Sequence, residues 1–307
     1  MSVVSTTKTW GEMVKLSHSL FALPFAIIAA FLAGRELEAG RPAWVQLVLL
    51  VLCMVAARSV AMTFNRIVDA DLDARNPRTS KRPIPAGSIS KKQAWVFLAI
   101  CAVGFVLSCA GFRLLYDNAW PVLLAGPVLL YLCGYSYSKL YTRWSHFYLG
   151  SAIAISPAAA WLAIDPNSIG WPAVLLVGAV TFWIGGFDII YACQDIDFDR
   201  REGLHSLPAK VGPAAALWIA RSAHALTVLL LAGVGIQAQL GWLYWIGVAM
   251  VAVLLTVENA MVRADDFSRV NLAFFTVNGI ISVGLGIVAI ADVLFDLPPA
   301  FSLGSAT

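Results

Sequence analysis

The sequence predicts an all-α, polytopic membrane protein with about nine transmembrane helices, on three observations. Of the 307 residues, 60% are hydrophobic and 13% are charged, and the mean hydropathy is +0.78. A soluble domain carries roughly 25% charged residues, so this chain lacks the polar surface of a water-facing globule. Apolar runs of about 17–25 residues, each long enough to cross a bilayer, recur along the chain. Loops that are charged or rich in turn-forming residues separate these runs, and we expect one integral-membrane domain over residues 1–307.

The expected spans and their orientation follow from the apolar runs and the loop charges. The spans are centred on Phe25, Met54, Val103, Leu124, Ile155, Val177, Leu229, Val248 and Gly284. Most lysine and arginine residues lie in the N-terminal segment and the even-numbered loops, whereas Arg35, Arg41 and Arg113 lie on the other side. The positive-inside rule therefore places the N-terminus and the even-numbered loops in the cytoplasm. A net charge of +3 is too small to indicate a nucleic-acid partner.

A polar stretch, NRIVDADLDARNPRTSKRP, follows directly on the second span. Within it, Asn65, Asp69 and Asp73 are spaced i, i+4 and i+8, so they share one face if the span continues as a helix. Arg58 lies one heptad before Asn65 and could share that face deeper in the membrane, whereas Asp71 is out of phase. A charged residue inside a span indicates function, because burying it costs about 2.5–3.5 kcal/mol on insertion scales.

The same spacing recurs at the end of the sixth span, in YACQDIDFDR. Tyr191, Asp195 and Asp199 repeat the pattern, and Asp188 lies one heptad before Asp195. Asp197 is out of phase, as Asp71 is in the first copy. Ordinary solvated loops would account for the nearby cations, but not for two copies of one spacing at equivalent helix ends.

The two patterns together predict a metal-bound diphosphate site at the membrane surface. Stacked carboxylates repel each other unless a cation neutralises them. Mg²⁺ suits such a site, because it binds a few carboxylates and leaves its other positions to water or phosphate. The expected ligands are Asp69, Asp73, Asp195 and Asp199, and the cations that follow each motif, Arg78 and Arg82 among them, suit phosphate oxygens.

The motifs resemble those of the UbiA superfamily of intramembrane aromatic prenyltransferases. NRIVDADLD is similar to the family's NxxxDxxxD, and RTSKRPIPAG to the RTxxRPxPxG that follows it. DIIYACQDIDFDRREGLHSLP resembles YxxxDxxxD with a trailing GxxS, here Gly203 and Ser206. YSYSKLYTRWSHFYLG and LSHSLFALPFA resemble two further segments, in the family's order. Arg66 and Leu140 depart from the pattern, which often has an acid and an arginine there.

The resemblance implies nine helices around a central cavity, with the two aspartate motifs facing each other. It implies that Asp69, Asp73, Asp195 and Asp199 bind an isoprenyl diphosphate through Mg²⁺. The allylic cation left by the diphosphate would then be attacked by an electron-rich aromatic ring. Substrate-side roles are implied for Lys139, near the diphosphate, and for Asn65, Arg58, Asp188 and Tyr191, near the aromatic acceptor or the metal. From their positions, His18 at the cytoplasmic start of the first span would be close enough to the cavity mouth to contact substrate, and His146, just before the fifth span, would simply cap it.

The expected activity is transfer of a polyprenyl group from its diphosphate to an aromatic acid, 4-hydroxybenzoate, in quinone biosynthesis. Within the family, prenylation of a dihydroxynaphthoate for menaquinone is the alternative. A transporter of an anionic substrate is the alternative of another class, although its polar residues would be expected near the membrane centre rather than at one face. We expect a bacterial inner-membrane protein that contacts lipids, with no nucleic acid and no protein partner.

Overall fold

The structure, a computed structural model, describes residues 9–11, 13–14, 19–267, 269–270 and 273–301. Twelve α-helices lie wholly within the described residues. They are α1 (Ser19–Gly34), α2 (Trp44–Val68), α3 (Ala70–Arg75), α4 (Lys91–Tyr116), α5 (Trp120–Ser138), α6 (Ser145–Ile164), α7 (Trp171–Ala192), α8 (Ile196–Arg201), α9 (Leu207–Val211), α10 (Pro213–Gln237), α11 (Trp242–Met261) and α12 (Asn278–Leu294). A 3₁₀ turn at Cys193–Asp195 joins α7 to α8, and a π-helical turn at Ala273–Val277 leads into α12.

The all-helical, polytopic fold class is confirmed. Among the described residues, eight helical segments are long and apolar enough to cross a membrane. Each contains one of the expected centres, and the ninth centre, Phe25, lies in α1, a shorter apolar helix of 16 residues. Large apolar side chains on the spans, such as Leu107, Leu114 and Leu130, are well exposed. Exposure of this kind is expected of surfaces that meet lipid rather than water.

The chain divides into two compact units, and the first comprises the chain up to Ser19 and Val48–Ser138. It contains most of α2 together with α3, α4 and α5. The start of α4 is a capping box, in which Ser90 accepts a hydrogen bond from the Gln93 amide and the Gln93 side chain accepts one from the Ser90 amide. These bonds satisfy amide groups that a helix start leaves without intrahelical acceptors, so α4 has a defined beginning after the polar loop.

The second unit comprises Leu20–Leu47 and Lys139–Thr307, and α7 is its best buried long helix. Glycines allow α6 and α10 to approach it closely. A Cβ added to Gly150 of α6 would collide with the backbone oxygen of Thr181, and one added to Gly186 would collide with the ring of His224. Small residues at such crossings are typical of membrane helices, where close packing drives association. This close packing lies directly before Asp188 on α7.

A buried carboxylate outside both aspartate motifs organises the start of α11. The Asp292 side chain, 2% exposed, accepts hydrogen bonds from the amides of Gly241 (2.7 Å) and Tyr244 (3.2 Å). It thereby acts as an N-cap supplied by α12, and its negative charge suits the positive end of the helix dipole. Asp292 lies 51 residues from Gly241 in sequence, so no local capping motif could have predicted the contact.

Candidate active site

The first aspartate motif lies on an almost continuous helix. Asp69, between α2 and α3, keeps a helical conformation with φ −84° and ψ −1°. Its amide donates to the carbonyl of Asn65 at 2.9 Å, and the amide of Asp73 donates to the carbonyl of Asp69 at 2.7 Å. The i to i−4 hydrogen bonding therefore carries on through the junction, and Asn65, Asp69 and Asp73 keep the spacing of one helix face.

The first acidic cluster consists of these three residues and Arg82. Asn65 donates to the carboxylate of Asp69 at 2.9 Å. Arg82 donates from one Nη1 to both carboxylate oxygens of Asp73, at 2.6 and 2.8 Å. Asp69 and Asp73 are buried at 4% and 6% exposure, so their charges depend on such donors rather than on bulk water.

Arg66 is a further member of this region, although in the sequence it stands out only as a departure from the family pattern. It is 5% exposed, donates to the Asn65 amide oxygen at 3.3 Å, and interacts electrostatically with Asp69 and Asp73. A buried arginine beside two buried carboxylates supplies positive charge to them. The available signal was its position, directly after Asn65 and at the end of a span.

The second aspartate motif is interrupted where the first is continuous. Helix α7 ends at Ala192, and the 3₁₀ turn separates it from α8. A 3₁₀ turn has three residues per turn instead of 3.6, so Tyr191, Asp195 and Asp199 do not share the face of one uninterrupted α-helix. Asp199 is nevertheless buried, Asp195 is half-buried and Asp197 is exposed, in agreement with the expectation that Asp197 is out of phase.

The second acidic cluster consists of Asp188, Asp195 and Asp199 with the residues that surround them, Lys139, His146 and Ser206. The Nδ1 atom of His146 lies 2.6 Å from Oδ2 of Asp188, and the amide of Leu207 donates to Nε2 of the same ring at 3.2 Å. The role of a simple helix cap for His146 is therefore wrong, because its ring bonds α7 and α9 instead of the end of its own helix.

Asp199 gathers several groups of the segment that follows it. The Ser206 side chain lies beside its carboxylate, and Asp195 and Lys139 act on it electrostatically. The amide of Leu204 donates to the backbone oxygen of Asp199 at 2.8 Å, and that of His205 donates to the backbone oxygen of Lys139 at 2.8 Å. The chain after α8 thus folds back over the motif and brings Lys139 towards Asp199.

The other residues singled out from the sequence have varied surroundings. Arg58 is half-buried within α2 and interacts electrostatically with Tyr135 and Arg66. Arg78 is exposed, and its amide donates to the Asn76 side chain at 2.9 Å. Tyr191 is half-buried near the end of α7. His18 lies outside the residues that the structure describes.

The carboxylate groups fit Mg²⁺ chemically without forming a closed metal cage. Within the described ranges, no group of three or more His, Cys, Asp or Glu side chains is placed to hold a metal ion. Mg²⁺ does not require such a cage, since it is usually bound by one or two carboxylates together with water and substrate phosphate. Hard carboxylate oxygens one helical turn apart, as in Asp69 and Asp73, are suitable donors.

The fold and the two clusters define a multi-pass α-helical membrane protein with acidic clusters where apolar helices end. The chain belongs to the UbiA prenyltransferase family, which matches residues 22–280, and it is accordingly an enzyme, a prenyltransferase. This assignment leaves the transporter alternative without support.

Similar sequences and structures agree with this assignment. A protein named 4-hydroxybenzoate octaprenyltransferase from Chromohalobacter salexigens is 30% identical over 236 residues, 76% of each chain. One of the same name from Aliivibrio salmonicida is 28% identical over 90% of this chain and 94% of its own. The apo structure of a UbiA homolog from Aeropyrum pernix K1 superposes with a TM-score of 0.75 at 28% identity, covering 91% of this chain and 98% of that one.

A second solved structure is similar in fold alone. A UbiA homolog from Archaeoglobus fulgidus, bound to GPP and Mg²⁺, superposes with a TM-score of 0.67 at 19% identity. The alignment covers 92% of this chain and 99% of the homolog.

Proposed function

We propose that this enzyme transfers a polyprenyl group from an isoprenyl diphosphate to 4-hydroxybenzoate, with Mg²⁺, in quinone biosynthesis. The observation that carries the proposal is the pair of acidic clusters at helix ends in a chain of this family. The names of the relatives support 4-hydroxybenzoate as the acceptor. The GPP and Mg²⁺ bound by the Archaeoglobus fulgidus homolog support a metal-bound diphosphate as the donor.

Four carboxylates would hold the metal, namely Asp69, Asp73, Asp195 and Asp199. Bound Mg²⁺ would act as a Lewis acid that neutralises the charge on the leaving diphosphate. The clusters suit this role because their carboxylates are buried or half-buried, where an electrostatic interaction is stronger than in water.

The cations would bind the phosphate oxygens directly. Arg82 already presents its guanidinium to Asp73, and it can exchange that contact for a phosphate oxygen when the diphosphate binds. Arg78 is exposed to solvent, so its guanidinium is accessible to a phosphate group. Lys139 is held near Asp199, because the amide of His205, in the chain that follows α8, donates to its backbone oxygen. These residues would stabilise negative charge as the carbon–oxygen bond to the diphosphate breaks.

Polar residues deeper along the helices would orient the aromatic acceptor. Asn65 and Arg58 on α2, and Asp188 and Tyr191 on α7, are the candidates. A hydroxyl group on the ring makes the neighbouring carbon electron-rich enough to attack the allylic cation. That carbon would then lose its proton to water or to the released diphosphate, which restores the aromatic ring. The apolar helices would exclude water, which would otherwise consume that cation.

An assay on membranes tests the activity directly. Membranes that contain the protein are supplied with radiolabelled prenyl diphosphate and a panel of acceptors, including 4-hydroxybenzoate and a dihydroxynaphthoate, with Mg²⁺ or with excess EDTA. We expect labelled 4-hydroxybenzoate product with Mg²⁺ and none with EDTA. Full turnover in EDTA would contradict metal dependence, and transfer only to the dihydroxynaphthoate would replace 4-hydroxybenzoate as the acceptor and indicate menaquinone synthesis.

We further propose that residues 1–307 act as one domain in a bacterial inner membrane, with both aspartate motifs on the cytoplasmic side. The support is the asymmetry of lysine and arginine among the loops. Single cysteines introduced at Ser88 and Glu202 in an otherwise cysteine-free variant should both be labelled only by reagents that reach the cytoplasm. Labelling of the two positions from opposite sides would contradict this orientation.

A further inference from the structure

We propose that His146 is a positioning residue that orients the Asp188 carboxylate for hydrogen bonding to the hydroxyl group of the aromatic acceptor. This inference rests on the proposed function, since it concerns the acceptor of that reaction. His146 lies in the first turn of α6, whereas Asp188 lies on α7 and Leu207 begins α9. One imidazole therefore connects three helices of the second unit.

The hydrogen bonds of the ring determine which nitrogen carries the proton. The Leu207 amide is a donor, so Nε2, 3.2 Å away, must be the acceptor and carries no proton. The neutral ring then has its proton on Nδ1, which faces Oδ2 of Asp188 at 2.6 Å. His146 consequently donates to Asp188, and this hydrogen bond fixes the position of that carboxylate oxygen.

The burial of the two side chains differs in a way that suits a positioning role. The His146 side chain is 6% exposed, which restricts it to contacts within the protein. The Asp188 side chain is 24% exposed, so its carboxylate remains accessible while one oxygen is held by the ring. An oriented carboxylate beside a substrate can accept a hydrogen bond from a phenol, which increases electron density in the aromatic ring.

The contact to Leu207 attaches the same imidazole ring to the start of α9. Leu207 is the first residue of α9, whose opening amides have no intrahelical acceptors, and His146 satisfies one of them. The preceding residue is Ser206, which lies beside Asp199. The ring thus connects Asp188 to the backbone at the start of α9, and a carboxylate fixed in this way is what productive orientation of the acceptor requires.

Two substitutions separate the hydrogen bonds of the ring from its volume. His146→Phe keeps a ring but removes both the donor and the acceptor, whereas His146→Gln keeps one of each on its amide. We expect His146→Phe to raise the KM for 4-hydroxybenzoate by about 10-fold or more, as substitution of residues that orient a ligating side chain commonly does. The KM for the prenyl diphosphate should change by less than about twofold, and His146→Gln should restore most of the acceptor affinity.

A double-mutant cycle with Asp188→Asn tests whether His146 acts through Asp188. If it does, His146→Phe adds little to the loss of acceptor affinity in the Asp188→Asn background, because the two substitutions remove one interaction. Equal increases in the KM of both substrates, or the full effect of His146→Phe in that background, would overturn the proposal in favour of a purely structural role.

A spectroscopic measurement keeps the inference testable if His146→Phe fails to insert or if the wild type transfers no prenyl group. The chain has four histidines, so ¹⁵N-histidine labelling in detergent yields few signals, and the His146→Gln spectrum assigns His146. We expect the Nδ1–H tautomer, with signals that shift in Asp188→Asn and on addition of 4-hydroxybenzoate. The Nε2–H tautomer, or no response to the acceptor, would overturn the role of His146. Absent turnover alone would overturn only the proposed function.

Discussion

The two acidic clusters share a sequence spacing, but different kinds of side chain surround their carboxylates. In the first, arginines act on the aspartates: Arg82 bonds Asp73 through both oxygens, and Arg66 lies nearby. In the second, a histidine and a serine from other segments contact Asp188 and Asp199, with Lys139 as the cation. The difference teaches that one carboxylate spacing can be supported mainly by arginines, or by neutral polar side chains together with one lysine.

The two clusters also differ in their backbone conformation. The first motif continues its helix, so its residues are spaced by the helix itself and its cations follow within the same chain segment. The second motif passes through a 3₁₀ turn, and the chain then returns to cover it. The first cluster is therefore built mainly from local sequence, whereas the second depends on contacts between helices.

The largest expected effect comes from removing one metal-binding charge in either cluster. Asp69→Asn and Asp195→Asn keep the size of the side chain but remove the negative charge, and each should lower kcat by about 10²–10³-fold or more, the scale reported for loss of a key electrostatic group. Prenyl transfer in membranes measures the loss, and thermal unfolding in detergent checks folding. Both variants should insert normally and, without Mg²⁺, be at least as stable as the wild type, because repulsion between carboxylates is reduced.

The same pair of variants tests whether binding of Mg²⁺ and the diphosphate stabilises the folded protein. Mg²⁺ with a diphosphate substrate should raise the melting temperature of the wild type by mass action and should not raise that of either variant. If only one cluster responds in this way, the two clusters do not both bind the metal. Inactivity that arises only from failure to fold would also refute the metal-binding role.

A smaller effect, on the free energy of unfolding, should distinguish the arginine beside Asp73 in the first cluster from the serine beside Asp199 in the second. Arg82→Gln leaves the buried Asp73 without its ionic partner and should lower the free energy of unfolding by about 2 kcal/mol, less than the 3–5 kcal/mol of a fully buried pair, because Arg82 is 23% exposed. Ser206→Ala removes only a neutral hydroxyl beside the Asp199 carboxylate and should lower it by about 1 kcal/mol or less. Chemical denaturation in detergent compares the two variants.

The control for this comparison is the double variant Arg82→Gln/Asp73→Asn. It removes the buried charge along with its partner, so it should recover most of the stability lost in Arg82→Gln. If the double variant is no more stable than Arg82→Gln, the ion pair does not account for the loss.

A buried carboxylate outside both clusters separates stability from activity. Asp292→Ala removes the cap of α11 and should lower the free energy of unfolding by about 1 kcal/mol, up to about 2 kcal/mol for a buried cap. The kcat of the folded fraction should equal that of the wild type, since Asp292 caps a helix and belongs to neither cluster. A selective loss of kcat at unchanged stability would show that Asp292 has a role beyond capping.

The smallest effects are expected at the two out-of-phase aspartates. Asp71 forms an ion pair with Lys91 at 3.2 Å, but both side chains are largely exposed, at 82% and 52%. Such pairs are worth about 0–1 kcal/mol, so Asp71→Asn and Asp197→Asn should each leave stability and prenyl transfer close to those of the wild type. An inactive Asp71→Asn beside an active Asp69→Asn would show that the helix phase of the first motif was assigned wrongly.

Much of the fold was predictable because the bilayer restricts what an apolar chain can form. Lipid offers no hydrogen-bond partners, so a run of about 20 apolar residues has to be helical, and all nine expected centres lie in apolar helices of the described chain. The contact between Asn65 and Asp69 was also accessible, since residues four apart on a helix are neighbours. The 3₁₀ turn at Cys193–Asp195 was not, because the spacing of Tyr191, Asp195 and Asp199 is the spacing expected of a continuous helix.

The sequence by itself determined the helical membrane class, the positions of the spans and the two aspartate spacings, all of which follow from local composition and helix periodicity. Only the tertiary structure decided which distant side chains bond Asp188 and which carboxylate caps α11. His146 reaches Asp188 and Leu207 across separations of 42 and 61 residues, and Asp292 caps a helix that begins 50 residues earlier, at Trp242. Such pairings depend on how helices pack, and packing is set by glycine contacts and burial that no local pattern encodes.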